Sequence, residues 1–409
     1  MAEARVPTAA ELDWLTQRAV AEIIPHDEFV KALKSGKALR LKMGFDPSAP
    51  DLTIGHAVGL RKLRQLQEFG HTVVIIVGDW TAQIGDPSGE SKTRPMLSAE
   101  QVNANAETYL AQFFKIIDPE KTEVRRQSEW FGDFGLADVV RLAARFTVAQ
   151  MLERADFAER YQRQQPIGVH ELLYPLLQGY DSVAVKADVE FGGTDQKFNL
   201  LVGRELQVEA GQKPQSVFTV PLLVGTDGEV KMGKSVGNYV AVDDPPNEMY
   251  GKLMSIPDHL IGDYFEYLTD VPDKEIAVIR EMVEKRTGNP MEAKKRLAHE
   301  LVAQFHDAAA ADEAQKFFES TFSKGELPDD VPEKSVSFDA ITDGDTVRIP
   351  TLLTKLGLTP SISEGSRLFK QGAVEVDGEV AKELRITPRD GMIIRVGKHR
   401  FVRLLNADA

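Results

Sequence analysis

Cysteine is absent from this chain, and its absence removes several chemistries at once. There is no disulfide framework, no thiolate nucleophile and no cysteine-liganded zinc site to look for. No apolar run approaches the ~18 residues that suggest a membrane span. The opening MAEARVPTAAELDW lacks the apolar core and cleavage site of a secretory signal, so a cytoplasmic setting is expected. Positive charge is short as well. Against 49 Lys and Arg stand 63 Asp and Glu, a formal net charge of -14. That balance argues against indiscriminate coating of nucleic acid, but it leaves room for a local basic patch.

What is present points to two or three domains, the natural prior for 409 residues. Thr8, with Glu11 three residues on, reads as a capping box opening a helix from about Ala9 to Ile24. A strand is expected over Ala38 to Phe45 and a helix over Gly55 to Phe69. The glycine-bounded apolar run Thr72 to Val77 reads as a buried parallel strand. A second helix near Gln196 to Ala210 precedes the β-branched run Val217 to Val224. This alternation predicts an open, doubly wound α/β domain with a parallel, Rossmann-like sheet over about 30–235, preceded by an N-terminal helix in 1–29. Residues 236–323 read as a helical domain, with one long helical stretch from Met291 to Phe322. The charged, proline-bearing run after Lys324 reads as a linker over 324–346. The remainder, 347–409, changes sign: from Thr346 to Leu405 eleven Lys and Arg face six Asp and Glu. A basic tail on an acidic protein suggests an RNA or DNA partner.

Four short stretches carry chemistry. Asp51-Leu-Thr53-Ile-Gly55-His56 follows the first strand and opens a helix, the geometry in which free N–H groups and the helix dipole face an anion. Gly55 lets a ligand approach the backbone, and His56 is placed to donate to a phosphate, although a lone histidine at a helix start is more often structural. Tyr174, Gln178 and Asp181 fall at i, i+4 and i+7, so phenol, amide and carboxylate share one helix face and suit a small polar ligand. Phe191-Gly192-Gly193-Thr194-Asp195-Gln196 follows. Lys231-Met232-Gly233-Lys234-Ser235 then puts two lysines in a surface loop after Gly225-Thr-Asp-Gly228. Two decoys fail. Gly85 to Thr93 lacks the glycine and lysine that must directly precede the hydroxyl residue of a phosphate loop, and His170-Glu171-Leu-Leu-Tyr174 lacks the second histidine of a zinc-protease helix.

Together these stretches resemble the class I aminoacyl-tRNA synthetases, and within them the bacterial tyrosyl subfamily. Thr53-Ile54-Gly55-His56 is similar to the HIGH signature and Lys231 to Ser235 to KMSKS. GFDPSAPDLTIGH, IGDPSG, YPLLQGYDS and GGTDQ keep the subfamily's order, and Asp79 with Ser91 to Pro95 resembles its branch with a lysine on the first strand. The tail from Thr359 to Gly378 resembles an S4-type α+β RNA-binding domain.

The resemblance implies a ligase that makes tyrosyl-adenylate from L-tyrosine and ATP, with Mg²⁺ arriving on the ATP, and then charges tRNA(Tyr). It implies a homodimer and no metal held by the protein. It assigns His56, Thr53, Lys231, Lys234, Lys92 and Arg94 to the reacting phosphates. Gly44, Asp46, Ser48, Gly55, Gly192 and Asp195 go to ATP, with Asp195 on the ribose. Asp86, Tyr174, Gln178, Asp181 and Gln196 go to tyrosine, with Asp181 on the phenol, and Arg367 and Lys370 to RNA. Three positions depart from the pattern. Lys42 stands where a phenol-reading tyrosine is common, Glu90 where a loop lysine is common, and Gly233 replaces a serine. The rivals are a tryptophanyl or other HIGH-type nucleotidyltransferase, and an RNA-binding protein on an inactive synthetase scaffold.

Overall fold

The computed structural model describes residues 3–48, 50–87, 98–323, 332–397 and 400–408. Lys92, Arg94 and Glu90 lie outside these described residues. Two compact units divide the chain: a larger one of residues 1–245 and 252–307, and a smaller one of 308–409 with 246–251.

The larger unit is built on a six-stranded sheet. Its strands are β1 (Glu22–Ile24), β2 (Arg40–Phe45), β3 (Thr72–Val77), β4 (Thr122–Arg126), β5 (Val189–Gly193) and β6 (Ser216–Val220), in the order β1-β6-β5-β2-β3-β4. All neighbours are parallel except β1, which runs antiparallel to β6. Val73 to Ile76 are completely buried, as a strand covered on both faces requires. The chain winds from β2 outward to β3 and β4, then returns to β5 and β6 on the other side of β2. The reversal opens a crevice outside the carboxyl ends of β2 and β5, where doubly wound sheets bind ligands.

The doubly wound expectation is met, with three local corrections. The first helix, α1 (Ala9–Gln17), has the Thr8–Glu11 capping box but stops before residue 18. Ala19 turns the chain at φ 53°, Glu22 to Ile24 join the sheet edge beside β6, and the helix α2 (His26–Lys34) follows. The last expected strand ends at Val220, and Leu223 and Val224 instead bond the lysine loop. The helical stretch after Pro290 breaks at His306, where φ and ψ leave the helical region.

Residues 252–307 also belong to the same compact unit as the sheet rather than to a separate helical domain. Two buried arginines explain why. Arg18 donates to the carbonyls of Glu266, Thr269 and Val271, at 3.1, 2.8 and 2.7 Å, and to the Asp273 carboxylate. Arg61, on α3 (Ile54–Glu68), donates to Asp270 at 2.5 Å. Such desolvated guanidinium forks fix one packing arrangement.

The smaller unit has its own core of Val347, Leu352, Leu353, Val374, Ile394, Val402 and Leu404 among others. Its five-stranded sheet pairs β7 (Glu333–Val336) in parallel with the last strand, Arg400–Asn406. The expected linker 324–346 therefore runs too far: Glu333 to Val336 are a strand of this sheet and Phe338 to Ile341 a helical turn. Polar side chains mask the strand, because β7 lies at the sheet edge with most of its residues exposed. Among the described residues no helix is long and apolar enough to cross a membrane.

Candidate active site

The crevice is lined by the ends of β2, β3, β4 and β5 and by two helices, α4 (Tyr174–Val185) and α5 (Lys197–Glu209). Gly44 is exposed at its floor, and a side chain there would find no atom nearer than Ile76 Cβ at 3.9 Å. Gly192 has a different reason. A Cβ would come within 2.9 Å of Gln196 Cβ and 3.2 Å of Leu200, so its bareness lets the turn leading into α5 close on β5.

Beyond β2, Asp46 accepts the Tyr174 phenol at 2.8 Å and the Thr81 hydroxyl at 2.7 Å, while Ser48 stays exposed. Burial, with the Asp46 and Asp86 carboxylates beside it, raises Tyr174 well above the ordinary phenol value, so it remains a donor.

At the start of α3 the Thr53 amide donates to His56 Nδ1 at 3.2 Å, with the Thr53 hydroxyl 2.9 Å from the same nitrogen. Nδ1 is thus the acceptor, and the ring proton belongs on Nε2. Burial, followed by the charges of Lys234 and Lys231, pushes His56 down to about 3, so the imidazole is neutral at ordinary pH.

The lysine loop is more ordered than its composition suggests. Met232 is buried, donates its amide to Leu223 and packs over Gly55, at 3.7 Å from where a Cβ would stand. Asn238 accepts from the Gly233 amide at 2.8 Å and donates to Asp227 at 2.8 Å, clipping the loop shut. Lys231 pairs with Asp195. Lys234 reaches the Asp51 carbonyl at 2.6 Å and the Tyr109 hydroxyl at 2.5 Å.

The three-residue stripe is realised on α4, and a hydrogen-bonded chain runs through it. Gln196 donates to Asp86 at 2.8 Å. Asn199 donates to Gln196 at 3.2 Å and to Gln178 at 2.9 Å, and Gln178 donates to Glu190 at 3.3 Å. Arg154 joins Asn199 at 3.1 Å and Asp86 at 3.5 Å.

Asp181, 1% exposed, accepts from Gln127 Nε2 at 2.9 Å and Trp130 Nε1 at 3.1 Å. Burial pushes it up to about 7, against the pull of Lys42 and those two donors. Gln127, Trp130, Asn199, Arg154 and Glu190 escaped the sequence reading. Asn199 and Glu190 flank the GGTDQ stretch and carried a positional hint; Gln127 and Trp130 lie more than 50 residues from Asp181 and carried none.

In the smaller unit Arg367 and Lys370 are exposed on the helix Ile362–Lys370, but Arg367 is forked onto Glu364 at 2.9 and 2.5 Å. Its charge is thereby partly cancelled, leaving Lys370 as the freer cation of the two.

Comparison with known proteins identifies the family. The family model for tRNA synthetases class I (W and Y) matches residues 34–323. A tyrosine–tRNA ligase of Dehalococcoides mccartyi (strain CBDB1) is 58% identical over 395 residues, 97% of this chain and 98% of the relative. One of Moorella thermoacetica is 50% identical over 95% of this chain and 94% of its own. Among solved structures, a C-terminally truncated mitochondrial tyrosyl-tRNA synthetase of Aspergillus nidulans superposes with a TM-score of 0.63 at 22% identity, covering 76% of this chain and 94% of that one. The tyrosyl-tRNA synthetase of Archaeoglobus fulgidus, complexed with L-tyrosine, gives 0.61 at 22% identity, over 75% and 99%. At that identity the two structures speak for the fold alone.

Proposed function

The chain belongs to the class I tRNA synthetases of the W and Y group, and on that premise we propose how its residues divide the work. It is a ligase that activates L-tyrosine with ATP, releases pyrophosphate and passes the tyrosyl group to the 3′ end of tRNA(Tyr). The first step is an in-line attack of the tyrosine carboxylate on the α-phosphorus, so catalysis is positioning plus stabilisation of charge gathering on the phosphates.

Asp181 carries the reading. A buried carboxylate whose two donors, Gln127 and Trp130, leave lone pairs to spare accepts the phenol O–H of tyrosine. Phenylalanine would leave that acceptor unmet, at a cost far above that of a missing methylene. Asp86, Tyr174, Gln178 and Gln196 take the ammonium and carboxylate end. Asp195 holds the ribose, with Gly44, Asp46 and Ser48 along the nucleotide. The free Nε2–H of His56 donates to a phosphate oxygen, and Thr53 fixes that tautomer. Lys231 and Lys234 leave their resting partners to grip the pyrophosphate as it forms, and Lys92 and Arg94 add charge. Mg²⁺ enters as part of the ATP complex.

The tail unit meets tRNA through Lys370 and Arg367 by charge, with salt-dependent affinity. The chain works as a homodimer in the cytoplasm. Leu136, 81% exposed, with exposed Val140 one turn on along the same helix, supplies apolar surface on the larger unit that a second copy would cover.

ATP–pyrophosphate exchange with each amino acid singly tests this reading. Exchange driven by tyrosine, with phenylalanine near background, is expected. Exchange driven by another amino acid would overturn the Asp181 assignment, and a folded protein with no exchange that still binds RNA would be an inactive synthetase scaffold.

A further inference from the structure

Lys42 and Glu190 are direct partners across the parallel β2–β5 pair, and each side chain is 0% exposed. Lys42 donates all three of its ammonium protons: to Glu190 Oε1, to Ser182 Oγ and to the Gln178 carbonyl, each at 2.8 Å. The other carboxylate oxygen of Glu190 accepts from Ser182 at 2.9 Å and from Gln215. The cluster is so full that a Cβ on Gly203 of α5 would stand 2.8 Å from Gln215 Nε2, 3.0 Å from Ser182 Oγ and 3.1 Å from Glu190 Oε2.

A buried ion pair of this kind is weak evidence for stability, because removing two charges from water offsets their attraction. Its placement is more telling. Lys42 grips Gln178 and Ser182, one helical turn apart, and Asp181 lies between them on α4. Glu190 takes an N–H of Gln178, so that amide must turn its oxygen away, toward Asn199 and the crevice. Two residues farther along each strand, Gly44 and Gly192 carry no side chain. The pair is therefore the last filled layer beneath the crevice.

We propose that Lys42 and Glu190 form a positioning pair that sets the amide of Gln178 and the height of Asp181, and so governs tyrosine affinity and the rejection of phenylalanine without touching substrate. This rests on the assignment of Gln178 and Asp181 to tyrosine.

The test is the double variant Lys42→Met with Glu190→Gln, which removes both charges, leaves no unpaired ion and keeps a hydrogen-bonding group beside Ser182 and Gln215. In ATP–pyrophosphate exchange the expected result is a KM for tyrosine at least tenfold higher, a KM for ATP within twofold of the parent, and a tyrosine-over-phenylalanine ratio at least tenfold lower. A folded double variant whose tyrosine KM and discrimination stay within twofold of the parent overturns the proposal, and so does an equal loss on the tyrosine and ATP sides. Should the double variant not fold, Ser182→Ala keeps both charges and removes the hydroxyl they share. A tyrosine KM raised about threefold with ATP unaffected supports the pair, and an unchanged one overturns it. A parent protein that ignores tyrosine would instead sink the functional reading on which the pair depends.

Discussion

Lys231 rests its ammonium on the carboxylate of Asp195, joining the loop after β6 to the turn after β5. The carboxylate assigned to the ribose is thus occupied by a lysine assigned to the phosphates. On the assignments proposed above, the ATP phosphates draw Lys231 off Asp195, which releases the lysine when its new partner arrives.

The consequence for Lys231→Met is a split effect. The rate of adenylate formation should fall about 10²–10³-fold through loss of a transition-state donor. Ground-state affinity for ATP should not fall with it, because Asp195 is left free. Stopped-flow measurement of adenylate formation against ATP concentration separates the two. A weakened ATP affinity with an unchanged rate would contradict the resting pair.

His56 makes a prediction about pH. With its value pushed down to about 3 it is neutral throughout the working range, so no limb of the rate profile belongs to it. His56→Asn keeps an N–H donor and should retain more activity than His56→Ala, which should lose about 10²–10³-fold. Rate profiles of the parent and both variants check this, and a histidine limb near pH 6 to 7, about the ordinary value, would refute it.

Asp181 does titrate in the working range. Its carboxyl in the folded chain, at about 7, holds a proton that the unfolded chain releases near 3.8. Stability of the ligand-free protein from this group is therefore fullest below about pH 4 and is lost as pH rises toward about 7. The opposite holds for tyrosine, whose phenol donates to the anion. Lys42 favours that anion and Glu190 opposes it. Between about pH 6 and 8, kcat/KM for tyrosine should rise roughly tenfold, whereas the apparent Tm should decline from about pH 4 to pH 7. Asp181→Asn should abolish both trends, with a large loss of activity; if either trend survives in that variant, it belongs to another group.

Trp130→Phe removes one of the two donors that hold Asp181 while keeping an aromatic ring. Loss of a hydrogen bond to a charged group costs about 1.5–3 kcal/mol. Exchange measured with tyrosine and phenylalanine should show a discrimination ratio lowered by roughly tenfold or more.

Arg18→Ala addresses stability. It strands the carbonyls of Glu266, Thr269 and Val271 without their donor. A loss of about 3 kcal/mol or more in urea unfolding is expected, and Arg18→Lys should recover little of it because an ammonium cannot reproduce the fork.

Legibility in the sequence followed the range of the interactions involved. Thr72 to Val77 was readable to the residue because an unbroken apolar run bounded by glycine encodes a buried strand locally. The α4 stripe was readable because helical spacing is local too. Glu22 to Ile24 could not be separated from the helix before it, since what draws them out is the edge of β6, nearly two hundred residues away. Likewise nothing near Lys42 announces Glu190; only the register of β2 against β5 puts them side by side. Met232 sits in a run of lysines, glycine and serine that signals a solvated loop, and its burial depends on a helix start far back in the chain.

The pairing of β7 with the final strand fixes where the tail can be cut. A fragment beginning at 347 would leave Arg400–Asn406 with an open edge where Glu333–Val336 had covered it. Bare edges of that kind invite pairing with other chains. A tail fragment meant for RNA-binding work therefore has to begin ahead of Glu333, so that the final strand keeps its partner.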